Sequence, residues 1–175
     1  MIKTDLYFKT LPSTSDYLKD NYQDLPSFTF VRAGYQTGGR GQFERRWCSN
    51  ENENLLFSFL IKDIEIYQLD YIKKTVLFSI IEVLENYQVH ATYKPPNDIY
   101  VSGKKICGIL IENLTEFNNC LYVVIGIGLN VNQTAFEGFQ ATSLKQETGF
   151  KVEVSSIYTT LTHQLYERIR KQYDS

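Results

Sequence analysis

Histidine and cysteine are scarce in this chain. His90 and His163 are the only histidines, and Cys48, Cys107 and Cys120 lie far apart. That spacing makes no zinc site, and an odd number of scattered cysteines points to free thiols in a reducing cytoplasm. Charge of one sign is lacking as well. The formal net charge is −2, so nothing draws the whole chain to nucleic acid or to an anionic membrane. No apolar run reaches the length of a membrane span, and Met1-Ile-Lys-Thr-Asp5 has no apolar signal region. Repeats and low-complexity tracts are missing. So is a Gly-x-x-x-x-Gly-Lys-Ser/Thr loop, and no Gly-x-Gly-x-x-Gly follows a strand-like run. What remains is 175 residues, 43% apolar, enough chain for one domain with a sizeable core.

The densest feature is residues 34–47, Gly34-Tyr-Gln-Thr-Gly-Gly-Arg-Gly-Gln-Phe-Glu-Arg-Arg-Trp47, with four glycines and three arginines. Glycine lets backbone N–H groups approach a ligand, and successive N–H groups form an anion-binding concavity. Arginine adds a planar fork that matches phosphate or carboxylate. The stretch lies between two strand-like runs, Phe28–Ala33 and Leu55–Ile61, so it reads as a long functional loop. A solvated loop with surface arginines is the plain alternative.

Around this loop, residues 6–11 read as a first strand ended by Pro12. Ser13-Thr-Ser-Asp-Tyr-Leu18 reads as a helix start capped by Ser13 or Thr14. Leu55–Ile61 is apolar on both faces and predicts a buried strand. Ile72, Val76, Ile80, Val83 and Tyr87 recur at helical steps within 66–87. Val89–Tyr93 reads as a short strand. It is broken by Lys94-Pro-Pro-Asn-Asp98, a stiff segment offering a cation, an amide and a carboxylate. Ser102-Gly-Lys104 is a hairpin signal between Ile99–Val101 and Lys105–Glu112; there Lys105 reads plainly as an exposed strand-end lysine. Asn118-Asn119 marks another turn before the strand Cys120–Ile127, which ends in Gly126-Ile-Gly-Leu-Asn130. Glycines at alternate positions leave one strand face open, and Asn130 points to that face. A loop over 133–141, a short helix over 141–149 and a last helix carrying Ile157, Leu161, Leu165 and Ile169 complete the chain. About seven strands arriving mostly as hairpins, with helices between and after, predict an α+β fold: a mixed, largely antiparallel sheet covered by helices.

Five segments, in order over residues 13–144, resemble the catalytic domain of biotin protein ligases. Ser13-Thr14 is similar to a family Ser-Thr near the start. Gly39-Arg-Gly41…Arg45-Arg-Trp47 is similar to Gly-Arg-Gly…Arg-x-Trp, and Lys94-Pro-Pro-Asn-Asp98 to Lys-Trp-Pro-Asn-Asp. Lys105-Ile-Cys-Gly-Ile-Leu110 is similar to Lys-x-x-Gly-Ile-Leu, and Gly126-Ile-Gly-Leu-Asn130 to Gly-x-Gly-x-Asn. The resemblance implies ATP-dependent biotinylation of a lysine on a biotin carboxyl carrier protein, through biotinyl-5′-AMP, in the cytoplasm. Charge and hydropathy lead to an expectation of no nucleic-acid or membrane partner, and the resemblance admits a homodimer. By the same correspondence Ser13, Thr14, Gln36 and the Gly39–Arg40 backbone hold the biotin ureido group, with Gly108 also at biotin. Lys105 lies between the carboxylate and the α-phosphate. Arg40, Arg45, Arg46, Lys94, Asn97 and Asn130 serve ATP, and Phe136 or Phe139 covers the adenine. Arg45, Lys94, Lys105 and Asp98 are implied at the reacting centre, with Asp98 orienting or deprotonating the incoming lysine. Mg²⁺ is held mainly by phosphates and water.

Three departures from the family pattern stand out. Pro95 replaces its tryptophan. Gln42 and Glu44 stand where many bacterial members have arginine and glycine, which predicts weaker retention of the adenylate. The chain is expected to be a single catalytic domain over 1–175, with no helix-turn-helix before Ser13 and the usual C-terminal small β-barrel absent or truncated. Both Gly34–Trp47 and Gln133–Ala141 are expected to be mobile until a ligand orders them. A lipoate or octanoate ligase or transferase on the same fold is the enzymatic alternative. A catalytically silent biotin- or nucleotide-binding module is the alternative of another class.

Overall fold

A run with no polar face belongs where both of its faces are covered. In the computed structural model, which describes residues 2–43, 45–138 and 140–173, Leu55–Ile61 opens β3 (Leu55–Glu65) and is buried throughout. In chain order the elements are β1 (Thr4–Leu11), α1 (Thr14–Asn21), β2 (Thr29–Gln36), β3, α2 (Gln68–Glu85) and β4 (Thr92–Lys94). They continue with β5 (Asp98–Val101), β6 (Lys104–Glu116), β7 (Asn119–Leu129), α3 (Leu144–Thr148) and α4 (Val154–Tyr173). The strands form one seven-stranded sheet in the order β1-β2-β3-β7-β6-β5-β4. β1 and β2 pair in parallel across α1, and every other pair is antiparallel. The expected α+β architecture is the observed one.

Cross-strand register divides the sheet into two faces. One face presents Phe57, Phe59, Ile125 and Ile127 to α2 and α4, whose Val76, Ile80, Leu161 and Leu165 complete the main core. The other presents Val31, Leu60 and Val124 to Leu18 of α1. Burying a leucine this fully stabilises the fold by about 1.5–3 kcal/mol, so Leu18 is what seats the short helix. α1 is only 8 residues long and cannot cover the whole of this face. The uncovered part of β6 and β7 carries the glycines.

Several boundaries follow local chemistry. Ser13 caps α1 in an extended conformation, its hydroxyl accepting from Asp16 N at 3.2 Å. Ser102 and Gly103 both have positive φ (48° and 78°), as a two-residue hairpin requires. The expected strand at Val89–Tyr93 is instead the three-residue β4, which starts three residues later and ends one later, at the prolines. Val89 is drawn elsewhere: its N–H donates to Leu84 O at 3.1 Å and its side chain is buried, so it closes α2 onto the core. Gly34–Gln36, expected in the loop, belong to β2. No helix among the described residues is long and apolar enough to cross a membrane.

Candidate active site

A cavity of about 930 Å³ opens on the α1 face of the sheet, between the start of α1, the glycine–arginine loop and the β5–β6 hairpin. Its floor is made by absence of side chains. Gly108 and Gly128 stand opposite each other across β6 and β7, and the Trp47 ring lies on both. A Cβ on Gly128 would come 2.5 Å from Trp47 Cε2, and one on Gly108 2.9 Å from Cζ3. Neither position admits a larger residue without moving the indole. Gly126, two residues back, faces Ser15 and Ser58 in the same way.

Lys105 reaches this floor through an irregularity. Residues three apart in a regular strand face opposite sides. Here the β5–β6 register shifts between Ile99 and Tyr100, so that Tyr100 pairs with Lys105 while Ile99 pairs with Cys107. One residue of β6 is absorbed, as in a bulge, and Lys105 comes to the face of Gly108. Its Nζ is 2.8 Å from Asp98 Oδ1 and 5.4 Å from the Trp47 ring centroid. The plain reading of Lys105 as an exposed strand-end lysine is therefore wrong. Between Lys105 and Gly108, Cys107 is fully buried, and burial pushes its thiol far above the usual range.

The opposite end of the cavity is closed and polar. Thr14 donates to Gln36 Oε1 through its N–H (2.8 Å) and its hydroxyl (3.0 Å). Ser58 Oγ sits 2.7 Å from Thr14 Oγ1 and 2.8 Å from Ser15 Oγ. Gln36 Nε2 has no partner among the described residues. Ser13 spends one lone pair on its cap and keeps a hydroxyl proton to donate. This end thus offers both donors and acceptors.

The glycine–arginine loop is a small hairpin. Gly41 N donates to Arg45 O at 2.7 Å, and Trp47 N to Gly39 O at 2.9 Å. Gly39 is buried against the Trp47 carbonyl. Arg45 and Arg46 are exposed at the cavity and make no ion pair among the described residues. Arg40 differs: its guanidinium is held by Asp16 and Glu112. The hydrogen bond to Glu112 raises its pKa further, against burial. Burial lowers the pKa of the neighbouring Lys19, but its bonds to Glu112 and Asp16 outweigh that, and the net shift is upward. The expectation that the Arg40 side chain serves ATP meets a guanidinium already engaged by carboxylates.

The remaining candidates also line the cavity. Lys94 lies 4.5 Å over the Tyr100 ring. Asn97 is half-buried, and its carbonyl accepts from Ile109 N, fixing the Pro96–Asp98 turn onto β6. Asn130 is buried; its Nδ2 donates to Thr142 O at 3.1 Å, while Oδ1 has no partner among the described residues. Phe136 is half-buried at the rim. Glu44 and Phe139 lie outside the described residues. Ser15, Ser58, Asp16, Glu112 and Gln133 escaped the sequence reading. Gln133 Oε1 accepts from Asn54 Nδ2 (2.6 Å) and Asn50 N (3.2 Å), tying the two cavity loops together. The one available signal was Ser58, a lone hydroxyl inside an otherwise apolar run.

The comparisons with known proteins agree with this geometry. The chain is 33% identical over 164 residues to the bifunctional ligase/repressor BirA of Bacillus subtilis, covering 90% of this chain and 50% of that one. It is 29% identical over 161 residues to BirA of Escherichia coli, covering 89% and 50%. The chain therefore spans about half the length of the curated relatives it matches. Among solved structures, the biotin protein ligase of Aquifex aeolicus in complex with biotin and ATP superposes with a TM-score of 0.81 at 29% identity, covering 97% of this chain and 72% of that one. The profile of the biotin/lipoate A/B protein ligases matches residues 7–130, from β1 through the Gly126–Asn130 segment. A profile match over most of the sheet shows that the chain belongs to the biotin/lipoate A/B protein ligase family.

Proposed function

We propose that the chain catalyses ATP-dependent biotinylation of a lysine on a biotin carboxyl carrier protein, through biotinyl-5′-AMP. One observation carries this reading: a single cavity has a polar closed end at Thr14, Gln36 and Ser58 and a lysine–carboxylate pair, Lys105 and Asp98, on its floor. A ureido group needs donors and acceptors together, whereas a dithiolane or alkyl end would leave Gln36 Nε2 buried against apolar atoms. At about 930 Å³, the cavity stands near the top of the roughly 300–1,000 Å³ typical of ligand pockets, which leaves room for an acyl chain and a nucleotide.

In the first step a carboxylate oxygen of biotin attacks the α-phosphorus of ATP and pyrophosphate leaves. Lys105 exchanges Asp98 for the carboxylate and α-phosphate oxygens and stabilises the charge that develops on them. Arg45 and Arg46 meet the phosphates from the loop, Lys94 from β4, and Asn97 and Asn130 from the floor's far side, with Phe136 over the base. In the second step a carrier lysine attacks the acyl carbon and AMP leaves. That lysine is almost wholly protonated at neutral pH, and Asp98, released by Lys105, takes its proton. The buried Asn130 Oδ1, without a partner among the described residues, fits a hard cation that draws most of its ligands from phosphate and water. Mg²⁺ bound there would neutralise phosphate charge.

The test is incubation of the chain with biotin, ATP, Mg²⁺ and a biotin carboxyl carrier domain, followed by mass analysis of the acceptor lysine. Biotin-dependent exchange of pyrophosphate into ATP is expected. Exchange that depends on lipoate instead would assign the lipoyl branch, and biotin binding without adenylate would assign a silent module.

A further inference from the structure

On sequence, Arg40 stands out as an anion binder, yet its side chain is spent within the protein. Nε donates to Asp16 Oδ2 at 3.1 Å and Nη2 to Glu112 Oε2 at 2.6 Å, with Asp16 Oδ1 2.8 Å from Nη2. Lys19 Nζ completes the cluster, 2.9 Å from Glu112 Oε1 and 3.1 Å from Asp16 Oδ1. Two anions face two cations, so the cluster carries no net charge to draw a phosphate. Its members join α1, β6 and the loop. Glu112 and Lys19 are only 25% and 23% exposed, and a multi-charge network of this kind is worth more than a lone surface pair. The other loop arginines have no such anchor: Arg45 and Arg46 are exposed and unpaired among the described residues.

We propose that Asp16 and Glu112 are positioning residues. They clasp Arg40 and hold the first limb of the loop, Gly39–Arg40, in its ligand-ready place before any ligand arrives. This rests on the function proposed above in one respect, that the ligand meeting the first limb is biotin. A limb fixed in advance spares the ligand the ordering cost. Breaking the clasp lowers the population of the competent loop and so taxes affinity in proportion, while chemistry at Lys105 goes on as before.

Hydrogen exchange on the ligand-free protein, biotin calorimetry and pyrophosphate exchange at saturating biotin test this in the wild type, Glu112→Gln and Asp16→Asn. In both variants the Gly41 and Trp47 amides should exchange faster and biotin should bind about tenfold more weakly, one decade for 1.4 kcal/mol. The saturated rate should stay within about twofold, the mark of lost uniform binding. The triple variant Arg40→Gln/Asp16→Asn/Glu112→Gln should bind biotin no worse than Asp16→Asn/Glu112→Gln, because the double variant has already removed both carboxylates that hold Arg40. Unchanged exchange at Gly41 and Trp47, unchanged biotin affinity despite faster exchange, or a loss confined to the saturated rate would each overturn the clasp. If Glu112→Gln loses protection across β6 and β7, Asp16→Asn, which leaves those strands intact, decides. If the wild type binds no biotin, the biotin reading fails, and loop exchange alone still judges the clasp.

Discussion

Lys105 and Asp98 hold each other at 2.8 Å, so the proposed charge stabiliser and the proposed proton acceptor stay paired until a ligand separates them. Lys105→Ala should slow adenylation by about a hundredfold or more, on the order of 3 kcal/mol for one preorganised charge contact. Biotin affinity should change far less. A pyrophosphate exchange rate equal to the wild type's would remove Lys105 from the reaction. Gln42 lines the cavity as an uncharged side chain beside Arg40, Arg45 and Arg46. Gln42→Arg should slow biotinyl-adenylate release by about tenfold, since hydrogen bonds to charged groups gain roughly 1.5–3 kcal/mol. Equal release rates would mean that Arg46 or Lys104 already supplies that charge. At this scale Asp98 was legible as a carboxylate on a stiff segment, whereas Lys105, Gln36 and Thr14 came forward only through the family resemblance; all four line the cavity. Ser58 and Glu112 were illegible, because one serine or glutamate in a strand looks like any other until register places it.

Among elements, the loop and the bulge depart most from expectation. Residues 34–47 read as one loop in the sequence, but Gly34–Gln36 pair within β2, and the hydrogen bonds Gly41 N–Arg45 O and Trp47 N–Gly39 O join the two limbs of the remainder. Strand pairing, set by partners far away in sequence, decided this, and no local pattern announced it. The Lys-x-x-Gly spacing likewise makes sense only once a register shift puts both residues on one face. Gly128→Ala tests the floor at this scale. The added methyl would sit 2.5 Å from Trp47 Cε2, and forcing it in costs about 1–3 kcal/mol unless the indole leaves. The expected outcome is an unseated loop, with faster amide exchange at Trp47 and slower adenylation. Wild-type exchange at Trp47 would show that the ring does not depend on that glycine.

At the scale of the molecule, the sheet separates stability from function. α2 and α4 build the main core on one face, and α1, the loop and the cavity occupy the other. Leu165 is fully buried in that core, so Leu165→Ala should lower stability by about 2–5 kcal/mol. The folded fraction, assayed well below its melting temperature, should keep its activity per molecule. A proportional loss of activity in fully folded protein would show that the two faces are coupled. The same partition explains why the fold class was readable from the chain: each helix and strand carries the periodicity of the face it buries. The cavity was not readable as a shape, because it lies where α1 ends too soon to cover the sheet.

Trp47 is the single tryptophan of the chain, against thirteen tyrosines, and it rests on the floor glycines with the Lys105 ammonium 5.4 Å from its ring. The protein therefore carries its own optical probe at the point where the proposed chemistry occurs. Selective excitation of the indole reports on one place only. A ligand that draws Lys105 away or sheds water from the ring changes the emission directly, so occupancy can be followed in real time without a label or a coupled assay.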